Sequence, residues 1–213
     1  MWKPILIILV IFAVLGYGYI YLNKPTVSGT DPSAIVTNSR PLQSSLVHGQ
    51  PINVVIGDLD VSLQPVARYK ISAMVLAKKR YVDGWEGKLA PYDIVLGWRK
   101  ASILENVENL PIIQSVRHYQ FTVSPATNMT SAYINKHTSN NHIIPATKNV
   151  LKAIKSIKIY DKITLDGYLV DMTGIFKSNK INWYTSKTRN DTGASASEIF
   201  YVKSVKIGEN VYK

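Results

Sequence analysis

His137 and His142 enclose Thr138-Ser139-Asn140-Asn141 and form the most suggestive polar cluster in the chain. Two imidazoles beside amides can bind a metal or a polar ligand, or move a proton near neutral pH. Helical ligands to one metal stand at i, i+4, whereas these stand at i, i+5, about 140° apart on an ideal helix. The chain has no cysteine, and no carboxylate lies close in sequence. His137 also falls on a stripe with Met129 and Tyr133. A packed, hydrogen-bonded histidine is therefore the expectation, with a ligand or catalytic role as the alternative.

A second polar stretch is Thr188-Arg189-Asn190-Asp191-Thr192-Gly193, with Glu198 shortly after it. Arg189 and Asp191 can present a bidentate polar site, or can pair within a turn of their own. An enzyme or metal-dependent binder would draw on His137, His142, Arg189, Asp191 and Glu198, and needs them to converge in one pocket. Gly193-Ala194-Ser195-Ala196-Ser197 lacks the last glycine and the strand-turn-helix setting of a nucleophile elbow, so a serine triad is rejected. No metal set and no cofactor fingerprint is legible, so neither is expected, and the balance leans away from catalysis.

Charge offers a different chemistry. The chain carries 25 basic and 14 acidic residues, a net charge of +11; Lys3 and Lys24 account for two of these, leaving +9 on the remainder. Such a surplus favours anionic neighbours such as lipid headgroups or an acidic polymer. Lys148, Lys152 and Lys155, with Lys158 at the edge, line one side of an expected helix and are the candidate contacts. A solvated helix face is the alternative. Nucleic acid is the least favoured partner, because no interleaving of aromatic and basic residues on one sheet face can be read.

These residues need elements to position them. Ile5 to Leu22 contains eighteen residues and no charge. The uncharged interval from Pro4 to Asn23 would make a helix of about 30 Å, the thickness of a bilayer core. It exceeds a signal-peptide core and offers no small-residue cleavage site, so a retained single-pass anchor at residues 1–23 is expected, with the bilayer as partner through 5–22. An extracytoplasmic domain is the default for this short-tailed layout. Residues 24–50, interrupted by Pro25, Pro32 and Pro41, read as a flexible linker.

The domain is expected over 51–213. Ile52–Ile56, Leu59–Leu63, Tyr69–Ala77, Arg117–Val123, Ile163–Met172, Ile181–Thr188 and Ser197–Ile207 show strand patterns. Trp85–Leu89 reads as a returning hairpin strand and Pro91–Trp98 as a short helix or a loop. Helices are expected after the Ser102-x-x-Glu105 capping box, over Met129–His137, and after Thr147 with Val150, Leu151, Ile154 and Ile157 buried. The result is a β-dominated α+β domain of about seven strands and three short helices. A small OB-like barrel fits this pattern, and strand order does not follow from it.

The stretch Tyr69–Tyr81, the runs Leu89-Ala90-Pro91-Tyr92-Asp93-Ile94-Val95-Leu96-Gly97-Trp98 and His137 through Ala146, Gly167-Tyr168-Leu169-Val170, and Thr188 through Gly193 leading to Glu198 occur in a recognisable order. In these motifs the chain resembles a family of uncharacterised bacterial membrane-anchored proteins with a single N-terminal transmembrane helix. The family usually has a cysteine before the glutamate, where this chain has Ser197. The resemblance implies a place in the bacterial envelope, at the inner membrane with a periplasmic domain, and brings no mechanism. The expected role is a membrane-tethered interaction or accessory domain, with an envelope protein as a possible partner.

Overall fold

The computed structural model describes residues 3–46, 49–123, 127–188 and 197–213; the side chains at 3, 4, 7, 13, 17, 19 and 20 lie outside that description. The strands are β1 (Gly29–Thr30), β2 (Leu42–Ser45), β3 (Ile52–Ile56), β4 (Leu59–Arg80), β5 (Tyr92–Gly97), β6 (Ile112–Ser115), β7 (His118–Phe121), β8 (Thr138–Pro145), β9 (Lys162–Phe176), β10 (Asn179–Trp183), β11 (Glu198–Ile207) and β12 (Asn210–Tyr212). The helices are α1 (Lys3–Asn23), α2 (Gly84–Leu89), α3 (Leu104–Val107), α4 (Ser131–His137) and α5 (Lys148–Ser156). The protein is thus β-dominated α+β, with twelve strands among the described residues where about seven were expected.

Five strands form a closed circuit. β4 pairs antiparallel with β5, β5 with β8, β9 with β11, and β9 with β4, while β8 and β11 pair in parallel. Alternating residues fill the interior. Tyr69, Ile71, Ala73 and Val75 come from β4, Ile94 and Leu96 from β5, Ile143 from β8, Ile163, Leu165 and Leu169 from β9, and Phe200 and Val202 from β11. This is the period-2 burial that a barrel imposes.

α5 lies between β8 and β9 in sequence and packs Val150, Ala153, Ile154 and Ile157 on the same core. Its start follows from Thr147, whose hydroxyl accepts from the Val150 amide at 3.1 Å. Its end is capped by Lys78, whose ammonium donates to the carbonyls of Ile154, Lys155 and Ile157. Burial holds the Lys78 pKa below its usual value.

Two smaller clusters cover the outside. Leu59, Val61, Leu63, Leu89, Ile144, Val170, Met172 and Ile199 make one. Met74, Leu76, Val95, Ala101, Val107, Leu110, Met129 and Ile134 make the other, under the 99–134 insertion.

Several expectations are corrected. Leu59–Leu63 and Tyr69–Ala77 are parts of one strand, because a bulge at Pro65–Ala67 lets β4 bend without breaking. Trp85–Leu89 is helical, and Tyr92–Gly97 is a strand buried at every residue, so it shows no alternation. The Ser102 capping box does not form; the Ser102 hydroxyl donates to Arg99 O and Thr37 Oγ1, and α3 is one turn long.

The described residues of the expected flexible linker at 24–50 are strapped along the domain. The Thr26 amide donates to Asn149 Oδ1 at 2.7 Å, β1 pairs with β12, Asp31 pairs with Lys206 at 2.9 Å, and β2 pairs with β4. The Lys206 ammonium and the Ser33 hydroxyl and amide hold the Asp31 carboxyl well below the usual range.

The described apolar residues of α1 are exposed, among them Leu9, Phe12, Leu15 and Leu22. Among the described residues no helix is long and apolar enough to cross a membrane. The expected span at 5–22 therefore rests on the sequence.

Barrel closure needs close backbone approach at Gly167, where an added Cβ would fall on the carbonyl of Tyr201 across β9 and β11. Gly167→Ala is expected to lower unfolding free energy by about 1–3 kcal/mol, the usual cost of overpacking. Denaturant melts of the two proteins check this; an unchanged midpoint would mean that closure is looser than described.

Candidate functional site

Strand pleating sets the site. On β5 the residues alternating with Ile94 and Leu96 are Asp93 and Val95, which face out of the barrel; on β8 the outward residues are Asn140, His142 and Ile144. Asp93 lies directly opposite His142, and Val95 opposite Asn140. Asp93 and His142 therefore meet as a cross-strand pair, Nδ1 to Oδ1 at 2.9 Å, with Asp93 fully buried and His142 3% exposed. An ionised carboxylate only accepts, so in this bond His142 Nδ1 is the donor.

A buried carboxylate needs compensation. Arg117 supplies it from the turn between β6 and β7. Its Nη1 donates to Asp93 Oδ1 at 2.7 Å and to the Ala90 carbonyl at 2.8 Å. Val116 and Arg117 both have positive φ, 47° and 66°, as a two-residue hairpin turn requires. The guanidinium lies 4.0 Å from the Tyr81 ring centroid and 5.9 Å from that of Trp183. Trp183 also packs on His142 at 4.6 Å and edge-on to Trp85 at 5.5 Å.

Asn140 Nδ2 donates to Arg117 O, and Gln114 Nε2 donates to Asp93 O and Asn140 Oδ1, which fastens the hairpin to the barrel. Asp93 Oδ2 and Arg117 Nη2 are buried with no hydrogen-bond partner among the described residues. Burial raises the Tyr81 phenol above its usual pKa; the Arg117 amide opposes this, and the Asp93 charge reinforces it.

Of the expected site residues that are described, only His142 belongs to this cluster. His137 ends α4, bonds Tyr133 O through Nδ1 at 2.9 Å and stacks on Tyr133 at 4.0 Å, as a packed histidine does. The helix stops there and β8 begins, so helical spacing never related His137 to His142. Glu198 is fully buried and pairs in register with Asn141, on the barrel-interior parity of Phe200. It therefore faces the opposite side of the sheet from His142. Arg189 and Asp191 lie outside the described residues. Ser197 is buried beside Asn140, Nδ2 to Oγ at 3.4 Å.

Among the described residues no group of three or more histidine, cysteine, aspartate or glutamate side chains could hold a metal. Lys148 and Lys155 are exposed on α5, and Lys152 is half-buried with its ammonium on the Leu22 carbonyl at the end of α1.

Sequence reasoning missed Asp93, Arg117, Tyr81 and Trp183. The signal for Asp93 was present, a lone carboxylate inside Pro91–Trp98; its partner 24 residues away carried none. Comparison with protein-family models, curated proteins and solved structures finds no match for this chain.

Removing one member of a buried ion pair strands the other. Asp93→Asn is expected to destabilise the protein by roughly 2–5 kcal/mol. Asp93→Asn with Arg117→Met should lose less than the two single losses summed. A double-mutant cycle by urea unfolding measures this; strict additivity would show that the pair is not coupled.

Proposed function

We propose that this protein is a membrane-tethered, extracytoplasmic interaction domain of the bacterial envelope, built on an OB-type barrel. The single observation that carries the tether is the uncovered apolar surface of α1. α1 is a continuous helix of 21 residues, and its described apolar side chains find no protein cover. Such a surface calls for a hydrophobic environment. The uncharged sequence run from residue 5 to residue 22 is, at about 1.5 Å per residue in a helix, close to a bilayer core in length. The resemblance to bacterial membrane-anchored proteins points the same way.

Strand order supports this barrel type. Taken along the chain, β4, β5, β8, β9 and β11 stand as first to fifth, the third and fifth are parallel neighbours, and α5 joins the third to the fourth. That is the Greek-key order of OB barrels, which take ligands on the face of strands two and three and on the loops after strands one and four. Here that face is β5 and β8, and those loops bring Tyr81, Trp85 and Trp183. The Asp93–Arg117–His142 cluster seats the β6–β7 hairpin there, leaving the aromatic rim as the interaction surface. Its charged groups hold one another, an arrangement that favours a shaped surface over catalysis.

Two measurements test the tether. Membrane fractions should retain the full chain after alkaline carbonate extraction, and a periplasm-restricted reporter fused after Lys213 should be active. Release by carbonate, or activity only from a cytoplasm-restricted reporter, would overturn the reading.

A further inference from the structure

Residues at the exit of α1 make a basic surface. Lys152 on α5 donates to Leu22 O, so its ammonium sits against the C-terminal end of the α1 dipole. One turn to either side on α5, Lys148 and Lys155 are exposed. Asn149 binds the Thr26 backbone on one side and donates to Lys213 O at 3.0 Å on the other, which brings the C-terminal residue to the same corner. Lys24 follows α1 directly and is exposed. The sequence has no acidic residue from Lys24 to Thr30 and none within α5. The first acid beyond, Asp31, is engaged by Lys206.

We infer that this corner docks on anionic phospholipid headgroups and fixes the orientation of the barrel above the membrane. The inference rests on the reading of α1 as a membrane span. If α1 crosses the bilayer, Leu22 lies at the interface, and the ammonium bonded to its carbonyl lies there too. Lys148, Lys155 and Lys24 then stand within a Debye length of the headgroups, where negative surface potential attracts each of them. The strap of residues 24–31 keeps α5 beside the exit point, so the contact needs no rearrangement of the domain.

The test uses the full chain, which has no native cysteine to remove. Ser156→Cys, exposed on α5, carries a nitroxide label in nanodiscs of phosphatidylcholine alone or mixed with phosphatidylglycerol. Collisions with a water-soluble relaxant should fall several-fold in the anionic discs. That protection should disappear in high salt and in the Lys148→Glu/Lys155→Glu variant, whose fold is checked by circular dichroism. Equal exposure in both lipids, or protection that survives salt and the charge reversal, would overturn headgroup docking. Failure of the wild-type chain to enter nanodiscs would instead overturn the membrane span beneath it.

Discussion

The pairing of β11 on both of its sides is the constraint on which the structure depends. Along one edge it runs parallel to β8 from Glu198 to Val202, and along the other it runs antiparallel to β9 from Phe200 to Ile207. This double pairing closes the circuit begun by β4, β5 and β8, and it removes the open edges that a five-stranded sheet would expose. Closure also creates the interior into which Tyr69, Phe200 and the aliphatic residues point, with Tyr69 and Phe200 edge to face at 5.0 Å. A shift at Val202–Ser204 lets β11 serve both neighbours, and Gly167 permits the approach.

Closing a barrel gives every core strand an outer face as well. The two outer clusters cover most of it, and the Asp93–His142 pair lies on the seam between them, with Val95 belonging to one cluster and Ile144 to the other. A fully buried carboxylate there is tolerable because Arg117 neutralises it and His142 donates to it. The same bonds decide where the β6–β7 hairpin sits, since that hairpin is a separate two-stranded sheet. The polar seam thus links the barrel, the insertion and the Tyr81–Trp183 aromatic pair in one unit.

Much of the barrel was legible in the sequence and much of the site was not. β9, β11 and α5 announced themselves through alternation or through a threonine cap ahead of a helical apolar face. Tyr92–Gly97 did not, because a strand buried on both faces has no polar phase. Thr138–His142 misled for the opposite reason. Its residues are polar yet buried, satisfied by contacts such as Asn141 Nδ2 with Ile94 O and Tyr119 with Thr138, and hydropathy has no way to register that. The convergence of His142 with Glu198 that the alternative, catalytic reading needs fails on strand parity, which depends on knowing the register. Prolines and serines made residues 24–50 look loose, while the bonds that order them belong to Asn149, Lys206 and β12, far along the chain.

That strap distinguishes this protein from a domain on a flexible leash. Thr26 is bonded to Asn149 on α5, Ser28 to Lys213 and Asp31 to Lys206, so movement of the end of α1 must be transmitted to the domain. The most direct test is a distance distribution between nitroxides at Leu22→Cys and Glu209→Cys in bilayer-reconstituted full chain, measured by double electron–electron resonance. A strapped junction predicts one narrow distribution. A broad distribution spread over many ångströms would contradict it and restore residues 24–50 to the status of a flexible linker.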